Sequence, residues 1–217
     1  MGTGRIMMKY PSDYLNKVIQ GDCLEVMKGM PDKSVDLVLT DPPYGIGEDE
    51  RVADSVGRRE WKEENRWDLS IPSKEYFDEI FRVSKEQIIW GGNYFIENGL
   101  KNSRGWLAWY KMQEFSGADM ELAWTSKDMS AKMFRMSRVK FHGQEWKQHP
   151  TQKPSQLMMW CLQFFPEAQT ILDPFLGSGT TALACKTLGK DFIGIEISEK
   201  YCQIANQRLA SVTKAML

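Results

Sequence analysis

Between Gln169 and Glu196 the chain reads as strand, glycine loop, helix and strand, an order that leaves few folds open. Gln169-Thr170-Ile171-Leu172-Asp173 is a short apolar run closed by an acid, and Pro174-Phe175-Leu176-Gly177-Ser178-Gly179-Thr180-Thr181 is a glycine loop. A helix runs on to Leu188 with Gly189 as its stop, and Asp191-Phe192-Ile193-Gly194-Ile195-Glu196 is the next strand. A strand, a glycine turn, a helix and a parallel strand ending in an acid form one βαβ nucleotide-binding unit. Such a unit belongs to an open α/β sheet, whose ligands bind at the carboxyl ends of the strands.

The loop itself narrows the ligand. A phosphate-binding Walker loop ends in Gly-Lys-Ser/Thr, whereas Gly179 is followed by Thr180, which excludes a nucleoside triphosphatase. Gly177 to Ala182 formally satisfies Gly-x-Gly-x-x-Ala, and Glu196 lies 19 residues after Gly177, at the right place for ribose hydroxyls. Those features suit any adenosine ligand, a dinucleotide included. Asp173 argues against a pyrophosphate, which its carboxylate would repel, and for an α-ammonium, which it would attract. S-Adenosylmethionine has that ammonium, a ribose and no phosphate.

A second feature lies far upstream. Val35-Asp36-Leu37-Val38-Leu39-Thr40 reads as a buried strand, and Asp41-Pro42-Pro43-Tyr44 follows it in the loop at its carboxyl end. Two prolines stiffen the backbone and bare its carbonyls. An acid then stands at one end and an aromatic ring at the other. An exocyclic amine on a flat base could donate to Asp41 and to the Pro42 carbonyl while Tyr44 stacks on the ring. A turn with a capping Asp and a packed Tyr would look the same at this level.

The remaining segments follow in order. Lys17 to Gln20 is a short strand, Leu24 to Met30 a helix, and Asp22 either its N-cap or an acceptor for a nucleotide amine. Gly45 to Asp68 is dense in both charges, carries Trp61 and Trp67 and fits a lid over substrate or a solvated insertion. Tyr76, Phe77, Ile80 and Phe81 share one face of a helix that starts at Pro72 and runs through Lys74 to Val83. Gln87 to Trp90 is a buried strand; Trp106 to Tyr110 and Met120 to Thr125 read as an antiparallel pair at the sheet edge. Lys127 to Lys153 holds seven bases against two acids, with Phe134, Phe141 and Trp146 interleaved, the mixture that phosphate contacts and base stacking want. Pro154 opens a helix from Ser155 to Phe165, and Glu199 to Ala210 is the last one.

Composition sets limits. The 217 residues carry a net charge of −1, so nucleic acid would be held by a local patch rather than by the whole surface. Cys23, Cys161, Cys185 and Cys202 form no C-x-x-C pair, and His142 and His149 are the only histidines; no metal site is expected. Scattered thiols, no signal peptide and no long apolar run predict a cytoplasmic protein, neither secreted nor membrane-spanning.

With Asp-Pro-Pro-Tyr at 41–44, His-Pro-Thr-Gln-Lys-Pro at 149–154 and Asp-Pro-Phe-Leu-Gly-Ser-Gly-Thr-Thr at 173–181, the chain resembles the β-type DNA amino-methyltransferases, which methylate adenine N6 or cytosine N4. The order of motifs is that family's permuted one, and the resemblance spans Val18 to about Leu209. It implies a circularly permuted Rossmann-like fold that binds S-adenosyl-L-methionine, in one domain over 1–217, with a small target-recognition insert at 127–153. By resemblance Asp41, Pro42, Pro43 and Tyr44 hold the target amine. Asp22 and Cys23 lie at the donor's adenine; Asp173, Phe175, Gly177, Ser178, Gly179 and Thr180 line the donor; Glu196 holds its ribose; Thr151 and Lys153 approach its carboxylate. Lys132, Arg135, Arg138, Lys140 and Trp146 would meet double-stranded DNA. Cytosine enzymes of the family usually carry Ser at the head of the tetrapeptide, so Asp41 points to adenine. The small recognition region suggests a solitary or phage-type modification enzyme, bacterial or phage-encoded, with a homodimer among the arrangements open to it. Cytosine-N4 transfer, an RNA or protein-glutamine substrate, and an idle donor-binding subunit are the rival readings.

Overall fold

The structure, a computed structural model, describes residues 8–46, 70–112, 118–137 and 152–212. Among these residues eight strands form one sheet: β1 (Lys17–Gln20), β2 (Val35–Thr40), β3 (Ser84–Trp90), β4 (Trp106–Tyr110), β5 (Met120–Thr125), β6 (Lys132–Arg135), β7 (Thr170–Asp173) and β8 (Asp191–Glu196). Their spatial order is β1-β8-β7-β2-β3-β5-β4-β6. The five strands from β1 to β3 pair in parallel; β5 runs antiparallel to both β3 and β4, and β6 pairs with β4 in parallel. Among the described residues five α-helices accompany them: α1 (Cys23–Met27), α2 (Lys74–Val83), α3 (Ser155–Leu162), α4 (Thr180–Thr187) and α5 (Glu199–Ser211).

The sheet is covered on both faces, as parallel sheets must be. Alternation along the strands sorts the core. Leu37, Leu39, Ile88 and Trp90 face a cluster with Leu157, Cys161, Ala184 and Ala205 from α3, α4 and α5. Val38, Ile89, Leu172, Ile193 and Ile195 face the opposite cluster with Met27, Phe77, Ile80 and Val83 from α1 and α2. The expected stripe on α2 thus reaches the core, and each fully buried apolar side chain there stabilises the fold by about 1.5–3 kcal/mol. Helix α4 is buried along Thr180 to Cys185; its small side chains let it sit between α3 and α5.

The central pairing decides the function. β2, early in the chain, lies beside β7, late in the chain, in parallel register Leu37↔Ile171 and Val38↔Leu172. The loops after both strands therefore open on the same sheet edge, and Thr40 Oγ1 donates to Asp173 Oδ1 at 2.7 Å across that seam.

Four local expectations change. Helix α1 spans Cys23–Met27 rather than Leu24 to Met30. β3 starts at Ser84, three residues before the predicted strand, because pairing with Val35 to Leu37 overrides the weak strand preference of Ser-Lys-Glu. The antiparallel pair forms, but the edge is taken by β6, which lies inside the basic stretch and carries no alternation strong enough to announce a strand. Helix α3 stops at Leu162, short of Phe165. Among the described residues no helix is long and apolar enough to cross a membrane, and no group of three His, Cys, Asp or Glu side chains could hold a metal ion.

Candidate active site

Glycine loop and tetrapeptide face each other across the β7–β2 seam. Gly177 has φ +54° and nothing within 4 Å of the position a Cβ would take, so the loop presents open backbone there. At Gly179 a Cβ would lie 2.9 Å from that of Ala205, so the missing side chain is what lets the loop lean on α5. Glu196, at the end of β8, accepts from the Gly177 N–H and the Ser198 N–H, each at 2.8 Å. Burial raises the Glu196 carboxyl above its ordinary range, partly offset by those N–H donors.

Asp173 is 4 % exposed and accepts from Thr40 and from the Phe175 N–H at 3.1 Å. Burial pushes its carboxyl up to about 6, the nearby charge of Asp41 adds to this, and the hydroxyls of Thr181 and Thr40 pull back. Asp22 is the N-cap of α1, its Oδ1 accepting from the Leu24 N–H at 2.9 Å. Its other oxygen accepts from Tyr76 Oη at 3.2 Å, and the Tyr76 ring lies 6.1 Å from that of Phe175. Asp22, Tyr76 and Phe175 therefore form one side of the loop's approach. Cys23 is buried in the apolar cluster, and burial pushes its thiol up.

These residues fit S-adenosylmethionine better than a phosphorylated cofactor. Two carboxylates, Asp173 and Glu196, stand at the loop, an arrangement that repels pyrophosphate and suits an ammonium and a ribose diol.

On the other side of the seam, Tyr44 Oη donates to Asp41 Oδ1 at 2.6 Å. The Asp41 side chain is 26 % exposed, so it reaches the mouth of the site. The Tyr44 ring is stacked on Tyr94, with centroids 5.0 Å apart and planes 18° off parallel. Gly91, at the end of β3, lies under that ring: its φ is +68°, and a Cβ there would fall 2.1 Å from Tyr44 Cε1.

Lys153 takes a place that the sequence did not reveal. Its Nζ donates to Asp41 Oδ2 at 2.5 Å and to Tyr44 Oη at 2.9 Å, and pairs with Glu121 Oε2 at 3.0 Å. Its neighbour Gln152 reaches the glycine loop, accepting from Ser178 Oγ at 3.1 Å. The half-buried Glu121 and the buried Lys111 complete an ion cluster, 2.7 Å apart. An acid inside the apolar run Met120-Glu121-Leu122-Ala123-Trp124 is the signal that could have found Glu121. Arg208 is the other residue missed: from α5 its Nη1 donates to the Ser178 carbonyl at 2.6 Å and to Ser178 Oγ at 2.9 Å, and no local pattern marks it.

Lys132 and Arg135 are exposed on the edge strand β6. Phe134 between them is not a free stacking ring; it packs 5.4 Å from Trp160 against the core. Arg138, Lys140, Trp146 and Thr151 lie outside the described residues, as does most of the charged segment after Gly45.

Comparisons with known proteins bear on this geometry. M.HinfI of Haemophilus influenzae, a type II methyltransferase, is 28 % identical over 257 residues, covering 95 % of this chain and 72 % of that protein. TTHA0409 of Thermus thermophilus, solved with S-adenosyl-L-methionine, superposes with a TM-score of 0.57 at 20 % identity, over 89 % of this chain and 94 % of that one. The cytosine-N4-specific PvuII DNA methyltransferase gives a TM-score of 0.61 at 15 % identity, over 94 % and 91 %. Both structural likenesses concern the Rossmann-like fold. The profile of the N6/N4 DNA methylases matches residues 93–207, more than half of the chain, and the chain belongs to that family.

Proposed function

We propose that this DNA methyltransferase transfers the methyl group of S-adenosyl-L-methionine to N6 of an adenine turned out of double-stranded DNA. One observation carries the reading: Asp41, with Tyr44 bonded to it, stands across a single strand seam from Asp173 and the open glycine loop. Amine acceptor and donor site thus share one sheet edge.

The bound cofactor supplies an electrophilic sulfonium methyl. Asp173, the 176–180 loop, Glu196 and the Asp22–Phe175 side are the residues that would hold it. Asp41 does the rest of the work on the base. Its carboxylate has lone pairs beyond those used by Tyr44 and Lys153, and an amine donating to one of them turns its nitrogen lone pair away from the ring. Conjugation makes that nitrogen a poor nucleophile, so positioning and a negative charge beside the nitrogen as it becomes cationic are the levers available. As the N–C bond forms, one amine proton must leave, and Asp41 is the acceptor in place. Tyr44, held over Gly91, offers its ring to the base, and Lys132 and Arg135 on β6 offer charge to the phosphates.

Asp41 at the head of the tetrapeptide favours adenine over cytosine. The test is incubation of unmethylated plasmid with the protein and labelled donor, followed by nucleoside analysis. N6-methyladenine is the expected product. N4-methylcytosine would overturn the choice of base, and label in RNA alone or in neither nucleic acid would overturn the reading.

A further inference from the structure

Behind Asp41 lies an ion cluster of Lys153, Glu121 and Lys111. The Lys153 ammonium has three donors and three oxygen partners, on Asp41, Tyr44 and Glu121. Its side chain is 4 % exposed, that of Lys111 9 % and that of Glu121 22 %. The same Nζ lies 5.3 Å from the Tyr44 ring centroid and 5.5 Å from that of Trp90. For stability alone, apolar side chains of similar volume serve as well as a buried ion pair or better. A cation held this way is better understood by what it does to the carboxylate it touches.

Every element around Asp41 contributes to its surroundings. Tyr44 lies on its own loop with Tyr94 beyond it, Glu121 on β5 with Lys111 behind it, Asp173 on β7, and Cys161 of α3 faces Lys153. Among the described residues, Lys153 is the cation in contact with Asp41.

We propose that Lys153 and Glu121 are positioning residues for methyl transfer: Glu121 anchors the Lys153 ammonium against one oxygen of Asp41, which orients that carboxylate as the acceptor of the target amine. The inference rests on the role given to Asp41 above. Burial and, to a lesser degree, Glu121 push the Asp41 carboxyl upward, while Lys153 and Tyr44 pull it back. Burial acts on Glu121 in the same sense, but Lys153 and Lys111 outweigh it and hold that carboxyl at about 2. The two substitutions therefore act on Asp41 with opposite signs. Without Lys153 the Asp41 carboxyl rises; without the Glu121 charge it falls.

The experiment is the pH dependence of kcat for wild type, Lys153→Met and Glu121→Gln on plasmid DNA at saturating S-adenosyl-L-methionine. Donor affinity by calorimetry runs alongside. The acid limb of Lys153→Met is expected to move to higher pH, so that its rate falls on the acid side and recovers as pH rises. The limb of Glu121→Gln is expected to move down, and both variants keep donor affinity within about twofold, the range of an untouched site. Unmoved limbs, limbs moving in the same direction, or lost donor affinity would overturn the proposal. Should Lys153→Met fail to fold, Glu121→Gln decides alone: its limb must move down and its plateau kcat must fall, since the ammonium has lost its charged anchor. A wild type that binds donor and methylates no DNA overturns the reading of Asp41 and this inference together; active wild type with unshifted variants overturns the inference only.

Discussion

Gly91→Ala tests whether Tyr44 must sit where it does. Gly91 has φ +68°, in the left-handed region, where a side chain costs about 1–2 kcal/mol. The variant regains roughly 0.4–1 kcal/mol because its unfolded chain is stiffer. Backbone effects therefore leave a net cost of about 1 kcal/mol. The new Cβ would fall 2.1 Å from Tyr44 Cε1 and 2.6 Å from Cδ1, so the ring must leave. Moving a packed aromatic side chain adds about 1–3 kcal/mol, and the sum is about 2–4 kcal/mol. Gly177→Ala is the internal control. It has the same class of φ, +54°, but nothing within 4 Å of its Cβ, so its stability cost is the backbone part alone, about 1 kcal/mol. Urea denaturation followed by tryptophan fluorescence gives both values, and single-turnover methyl transfer gives the functional half. Gly91→Ala is expected to lose transfer because Tyr44 takes Asp41's partner hydroxyl with it, while donor affinity persists. Gly177→Ala is expected to lose donor affinity first, because its methyl group enters the open loop. Equal stability of the two variants, or full transfer by Gly91→Ala, would refute the reasoning.

Two further outcomes follow from the loop and the seam. Arg208→Met removes the guanidinium from the Ser178 carbonyl and should cost about 1–3 kcal/mol in denaturation while weakening donor binding in calorimetry. For Asp173 the sign is set by a folded-state value raised to about 6 from an ordinary 3.8. Its contribution to stability is therefore present below the ordinary value and lost as pH rises through about 6. Asp173→Asn should accordingly be more stable than wild type above that range, by about 3 kcal/mol, with the advantage gone in acid. It should also bind the methyl donor more weakly.

The parts of the site visible in sequence were those whose chemistry is local. The glycine loop and its terminal acid announce themselves because turn, helix start and strand end follow one another in sequence between Asp173 and Glu196. The tetrapeptide does so because two prolines fix a backbone. What could not be read was long-range. Lys153 and Asp41 are separated by 112 residues, and a lysine in the His-Pro-Thr-Gln-Lys-Pro stretch gives no local sign that it serves the tetrapeptide half of the site. Glu121 and Lys111 meet only because β4 and β5 pair with Trp109 opposite Glu121. Arg208 reaches Ser178 from one exposed-looking position on an ordinary amphipathic helix. In the same way β6 was hidden: Lys-Met-Phe-Arg forms a strand because β4 offers an open edge, not because those four residues prefer one.

The most direct test of the central claim separates donor binding from methyl transfer in Asp41→Ala. Calorimetry with S-adenosyl-L-methionine and single-turnover transfer to unmethylated plasmid would be measured on wild type and variant together. Donor affinity should be unchanged, since Asp41 lies on the β2 side of the seam, while transfer should fall by roughly 10²–10³-fold or more, the scale of removing one group aimed at developing charge. Transfer retained in Asp41→Ala, or lost only in proportion to donor binding, would contradict the assignment of Asp41 as the acceptor of the target amine.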